Sequence, residues 1–297
     1  MRSSILRFAS FNFTSRQAGI FYTLLSGLLF GLLGYFGMSL IDAQLSVYNA
    51  QFWRFLISAI CLSLMLLPSL SKTSIAKIEL FKLFLCGSFF YSSCAIFYFQ
   101  ASKHIGSGLA MIIFYTYPVM VMITNKMVFR ISISKIYYPV VLMITCGLIL
   151  LTNGSINKNL NLSGILFSLI AAFLYALYIL CGKKSPVSPL PASLMLCLGC
   201  LPTCFLAAWL DQSFSVPNGF HNWINLLGLS ILCTALPIMC LLKGLQYLNT
   251  VQASILSVLE PIFVLLFGVL LLGEQINLIQ MAGVIVLLCG AFLSLLF

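Results

Sequence analysis

The stretch from Val251 to Glu274, VQASILSVLEPIFVLLFGVLLLGE, constrains this chain more than any other. It is apolar and long enough for a helix to cross a bilayer, yet an ionisable Glu260 and a helix-breaking Pro261 sit side by side near its centre. A carboxylate at that depth is costly unless it is paired, protonated or facing a wet cavity, so it marks a functional position. Pro261 removes a backbone donor from the same turn, and the freed carbonyl must face protein or water rather than lipid.

The rest of the chain is suited to cover such a helix. With 62% hydrophobic residues, 7% charged residues and a mean hydropathy of +1.12, no soluble domain could hide so much apolar surface. At about 30 residues per helix and loop, 297 residues hold about ten spans, which leaves no segment for a soluble catalytic domain. The sequence therefore predicts an all-α polytopic membrane protein with ten transmembrane helices. They are expected near 19–40, 47–67, 81–101, 107–127, 136–152, 162–182, 190–210, 222–245, 250–272 and 277–297. Gly27, Gly31 and Gly34 share one face of the first helix and predict close helix packing.

The loop charges orient this arrangement. With a cytoplasmic N-terminus, the inner segments hold Arg2, Arg7, Arg16, Lys72, Lys77, Lys82, Lys126, Arg130, Lys135, Lys183, Lys184 and Lys243, and the outer loops hold only Lys103 and Lys158. The positive-inside rule then places both termini in the cytoplasm. A bacterial inner (plasma) membrane is the expected location. The net charge of +10 orients the chain and meets anionic headgroups, so no nucleic-acid partner is needed to explain it.

Sliding the second half against the first gives a register in which Pro118 meets Pro261, an offset of 143 residues. The same register pairs Ala110 with Ala253, Ile112 with Ile255, Val121 with Val264, Ile136 with Ile279, Cys146 with Cys289 and Gly147 with Gly290. Five helices per half is an odd number, so the halves are inverted in the membrane. The expected organisation is a cytoplasmic N-terminal segment over 1–18, a first five-helix repeat over 19–152 and a second over 153–297. Inverted repeats with proline-interrupted helices in corresponding places point to a secondary transporter with a site near the midplane.

The run ASILSVLEPIFVLLFGVLLLGE, followed by Gln280, Gly283 and Gly290, resembles the hallmark of the EamA group in the drug/metabolite transporter superfamily. The first half carries a weaker counterpart, SGLAMIIFYTYPV, and Trp53-Arg54-Phe55 resembles the arginine-bearing second helix of that group. The resemblance covers essentially the whole chain. It implies two inverted five-helix repeats, a central cavity enclosed by helices one to four and six to nine, and alternating access for export or uptake of small metabolites. The first-half copy has Tyr117 where the second has Glu260, so a symmetric pair of carboxylates is absent.

Glu260 admits three roles: a proton-carrying coupling group, a substrate ligand, or a structural anchor at the broken turn. Arg54 either snorkels to the headgroups or faces the cavity, where it would pair with a carboxylate or an anionic substrate group. Trp53 lies on its polar approach with Asn49 and Gln51. Aromatic walls bearing a few hydroxyls suit amphipathic or planar organic solutes, which makes Tyr98, Tyr117, Tyr175 and Tyr178 candidates, with Gln100 beside Tyr98. The bland reading of each aromatic is core packing or lipid contact.

The eleven cysteines are scattered through the expected helices, as buried reduced thiols would be. Cys197 and Cys200 form a C-x-x-C without a companion pair, and His104 and His221 belong to no metal-ligand pattern, so no metal or cofactor is expected. Neither a phosphate loop nor a Ser-His-Asp arrangement is legible, which argues against a nucleotide-driven pump or an enzyme. The sequence thus predicts a transporter of a small organic metabolite, such as an amino acid, amine, nucleobase-like or drug-like solute, with export the expected direction and protons a candidate coupling ion. The alternatives are an uptake or exchange carrier of the same fold, or a non-transporting membrane scaffold or receptor. Oligomeric state is not legible.

Overall fold

A computed structural model describes residues 14–68, 76–105, 107–128, 130, 134–152, 161–272 and 277–295. Arg2, Arg7, Lys72, Lys158 and Glu274 lie outside the described residues. Among the described residues, ten apolar helical segments follow one another: α1 (Ser15–Gly37), α2 (Val47–Leu66), α3 (Lys77–Ile105), α4 (Leu109–Met127), α5 (Tyr137–Leu151), α6 (Leu162–Lys184), α7 (Pro189–Leu210), α8 (Phe220–Tyr247), α9 (Thr250–Leu271) and α10 (Leu278–Ser294). Eight of them are long and apolar enough to cross a membrane, while α5 and α10 are shorter. The chain is an all-helical, polytopic membrane protein by these features.

Local chemistry sets the helix starts. Thr14 caps α1, whose first residue Ser15 lies four residues before the expected Gly19, and the cap is reciprocal: its Oγ1 accepts from the Gln17 N–H and its own N–H donates to Gln17 Oε1 at 2.9 Å. Asn161 and Asn249 cap α6 and α9 through their side-chain oxygens, at 2.9 and 2.7 Å.

The helices pair in a pattern that survives exchange of the halves. α1 packs along α8 and α3 along α6, which are the same pairing with the halves exchanged; α2 packs on α7, α4 on α9 and α5 on α10. The α5·α10 contact brings backbones together: a Cβ on Gly283 would lie 2.8 Å from the Gly147 carbonyl oxygen, and one on Gly147 would lie 3.1 Å from that of Gly283.

Two kinds of interruption recur in corresponding helices. α4 breaks at Tyr115 and Thr116 before resuming at Tyr117, and α9 breaks at Val258 and Leu259 before resuming at Glu260. The register that aligns Pro118 with Pro261 aligns both breaks. At each, the proline withholds an N–H and the turn tightens, with Val119 N–H donating to Thr116 O at 2.9 Å and Ile262 N–H to Leu259 O at 3.0 Å.

α3 and α8 each contain one wide π-turn, Cys86–Tyr91 and Ile231–Ala235. The carbonyls exposed there are taken from the facing helices. From α7, Thr203 Oγ1 donates to Ser88 O at 2.9 Å and the Cys200 thiol to Gly87 O at 3.3 Å. From α2, Ser58 Oγ donates to Ser230 O at 2.8 Å. The Cys200 contact gives the C-x-x-C a packing role.

Candidate central site

The break in α9 positions the site. Because the Val258 N–H turns to Ile255 O, Ser254 O loses its helical donor, and the Tyr117 hydroxyl from the break of α4 donates to it at 3.0 Å. Glu260 begins the second half of α9, at the positive end of that half's dipole. Its neighbours Leu259 and Pro261 are buried, whereas Glu260 itself retains partial exposure in the middle of the bundle. The Gly27 and Gly31 face of α1 admits this break closely: a Cβ on Gly31 would lie 2.6 Å from Phe263 Cβ, and one on Gly27 only 3.8 Å from the Glu260 backbone nitrogen.

The Tyr115 side chain lies close to the Glu260 carboxylate. Tyr98, Tyr117, Tyr175 and Arg54 are all within electrostatic reach of it.

Arg54 does not snorkel; it is 4% exposed and turned inward. Its Nε donates to Thr234 Oγ1, its Nη2 to Cys233 O at 3.0 Å and its Nη1 to Gln51 Oε1 at 3.2 Å. The guanidinium is thereby fastened to the π-turn of α8, whose loosened backbone supplies the acceptor. Among the described residues no ion pair joins Arg54 to Glu260, since no Arg54 nitrogen comes within 4.0 Å of its carboxylate. Arg54 is thus held by neutral acceptors, and Glu260 stands apart from it.

Aromatic rings connect them. Arg54 sits 5.4 Å from the Phe55 ring centroid, Phe55 meets Tyr91 at 5.9 Å, and Tyr91 meets Tyr178 at 4.8 Å. Tyr178 continues to Tyr175 at 5.4 Å, and Tyr175 to Tyr117 at 4.8 Å in an edge-on contact. Phe114 then links Tyr175, Tyr115 and Tyr98 at 5.2 to 5.3 Å. Among the described residues the buried Tyr178 hydroxyl has no hydrogen-bond partner, which leaves its donor and acceptor capacity to a water or solute.

Glu260, Arg54, Tyr98, Tyr117, Tyr175 and Tyr178 therefore share one site, with Pro118 and Pro261 shaping its walls. Trp53 and Gln100 are placed elsewhere. Trp53 Nε1 donates to Ser215 O at 2.9 Å, and its ring meets Trp223 at 5.4 Å, at the α7–α8 connection. Gln100 Nε2 donates to the Tyr48 hydroxyl near the start of α2. Tyr91 and Thr234 escaped the sequence reading, although the 143-residue register makes them partners of each other and could have drawn attention to both.

Both ends of the bundle are tied across. At one end Lys183 Nζ donates to Leu245 O at 2.7 Å and Leu248 O at 2.9 Å, while Asn125 Nδ2 donates to Thr250 Oγ1 at 2.7 Å. At the other, Asn49 Nδ2 and Trp53 Nε1 both reach Ser215 O at 2.9 Å, and Phe52 packs on Phe214 at 5.2 Å.

Comparison with known proteins gives a consistent picture. The sequence model of the EamA-like transporter family matches twice, over residues 17–153 and 162–296. The uncharacterized transporter YxxF of Bacillus subtilis is 24% identical over 290 residues, spanning 94% of this chain and 90% of that protein. An uncharacterized transporter of Archaeoglobus fulgidus is 26% identical over 134 residues, 44% of this chain and 47% of its own length. A solved crystal structure superposes with a TM-score of 0.77 at 16% identity, covering 93% of this chain and 96% of that one, a likeness of fold.

Proposed function

Because the chain belongs to the EamA-like transporter family, and is by that membership a membrane transporter, we propose that it is a secondary carrier that moves a small organic metabolite by alternating access. The observation that carries this reading is Glu260, a carboxylate with partial exposure at a helix break deep in the bundle, facing tyrosine hydroxyls rather than a cation. A group so placed costs free energy to retain, and binding a solute or a proton gives it a use. An aromatic wall with hydroxyl edges and a separate guanidinium suits an amphipathic organic solute.

The two halves, 19–152 and 153–297, act in this reading as inverted repeats crossing the membrane ten times. The exchange-invariant helix pairing and the matched breaks of α4 and α9 support it. Transport consists of releasing the ties at one end while keeping those at the other. Lys183 with Asn125 would secure the cytoplasmic end, and Asn49 with Trp53 the opposite end, both termini being cytoplasmic. Glu260 serves as the ligand or proton-coupling group, and export is the direction we assign in a bacterial inner membrane.

The test compares metabolites inside and outside cells producing the wild type or Glu260→Gln, with membrane abundance and folding checked for both. A selective shift of one chemical class in the wild type, lost in the variant, is the expected result. A folded Glu260→Gln protein transporting at the wild-type rate with unchanged pH dependence would remove Glu260 from the mechanism.

A further inference from the structure

Away from the central site, α4 and α5 meet in a groove of about 500 Å3 whose apolar wall includes Ile123, Met127 and Val141, with Lys126 and Tyr138 also lining it. Ile123, Met127 and Tyr138 are 47%, 75% and 55% exposed, so nothing in the described chain covers the groove. Lys126 lies in the last turn of α4 and Tyr138 in the first turn of α5, which puts the groove where both helices leave the apolar layer. A lysine and a tyrosine at that level belong to the headgroup region, while the aliphatic wall belongs to the acyl chains.

The charge of this corner is not balanced by the protein. Arg130 follows Lys126 by four residues and Lys135 precedes Tyr138 by three, and all three cations are exposed. No Asp or Glu occurs anywhere between residues 80 and 210. Glu79 pairs with Lys82, at 2.6 Å on α3. Among the described residues no carboxylate pairs with any of these three cations, so an anionic group from outside the chain can neutralise them, and one carrying an acyl chain would also cover the apolar wall beside Lys126.

We propose that the α4–α5 corner is a binding site for one anionic phospholipid, its phosphate held by Lys126, Arg130 and Lys135 and an acyl chain laid along Ile123, Met127 and Val141. A free phosphate would leave the apolar wall bare, and a zwitterionic lipid would bring no net charge to three cations. The site is independent of the carrier reading, because none of its residues touches Glu260 or Arg54.

The test is native mass spectrometry of the detergent-solubilised full chain titrated with phosphatidylglycerol or phosphatidylcholine. One phosphatidylglycerol should be retained in preference to phosphatidylcholine, and each cation removed in the series Lys126→Gln, Arg130→Gln and Lys135→Gln should weaken retention by about five-fold. A control that removes charge elsewhere, Lys77→Gln with Lys243→Gln, should keep wild-type retention. Ile123→Trp, which fills the groove and leaves the cations in place, should weaken it as well, with thermal unfolding confirming that the variant is folded. The proposal is overturned if the triple variant holds phosphatidylglycerol as the wild type does, or if the Lys77/Lys243 control loses it equally. Equal retention of phosphatidylcholine by the wild type would overturn it too.

Discussion

The breaks of α4 and α9 use one backbone device for two chemical ends. In α9 the tightening begins at Val258, so Ser254 O is released and needs an outside donor. In α4 the corresponding Tyr115 N–H still reaches Met111 O at 2.9 Å, and the turn tightens one residue later, at Thr116 N–H to Ile113 O. The first residue after each break differs accordingly. Tyr117 is 1% exposed and spends its hydroxyl on Ser254 O, whereas Glu260 keeps partial exposure and faces Tyr115 from the opposite break. One break thus supports the other, and the charge resides in the half that is supported. The two breaks share a backbone device, and the residue that follows each, Tyr117 or Glu260, sets its chemical character.

This contrast can be broken most forcefully at Glu260. Glu260→Gln should reduce transport by about ten-fold or more and flatten its pH dependence in proteoliposomes, since an amide carries neither charge nor proton. Adding Tyr117→Glu to that variant should not restore transport, because the Tyr117 position is closed and its hydroxyl is structural. Restoration would make the two breaks interchangeable.

Arg54→Gln should come next, costing about 2–4 kcal/mol through the loss of charged donors to Thr234 and Cys233 O, read as a lowered unfolding midpoint together with slower transport. Tyr117→Phe orphans Ser254 O and should cost about 1–3 kcal/mol. It should do so with the pH profile of transport retained, whereas Tyr115→Phe should shift that profile, because Tyr115 lies beside the carboxylate and the Tyr117 hydroxyl is bound to Ser254 O. The smallest effect belongs to Trp53→Phe, about 0.5–1.5 kcal/mol for the hydrogen bond to Ser215 O, with substrate selectivity unchanged.

What the sequence made legible follows from periodicity and from proline. Hydropathy located α2 at 47–67 against the observed Val47–Leu66, and the aligned prolines located both breaks. The fate of Arg54 could not be read in the same way. Its partners lie on a π-turn, which shifts the register of α8 without any proline to announce it. Trp53 precedes Arg54 by one residue and is therefore turned about 100° around α2, enough to send it to Ser215 instead of the site. Gln100 lies two residues beyond Tyr98 on α3, so the two side chains leave on different faces, one toward Phe114 and the other toward Tyr48. Neighbours in sequence were good guides to depth and poor guides to direction.

The unpaired guanidinium and carboxylate of the central site also bear on voltage. A carrier that swings its middle between the two faces of a polarised membrane does electrical work only on net charge, about 2.3 kcal/mol per elementary charge per 100 mV. In the proposed carrier cycle, Arg54 and an ionised Glu260 at equal depth would sum to zero, and a return stroke without solute would be indifferent to the membrane potential. A solute or proton that alters this sum turns the loaded stroke into a current. In that cycle the separation of the two charges, too wide for a salt bridge, would let each be neutralised alone, and the cargo would then decide whether the membrane potential helps or hinders its passage.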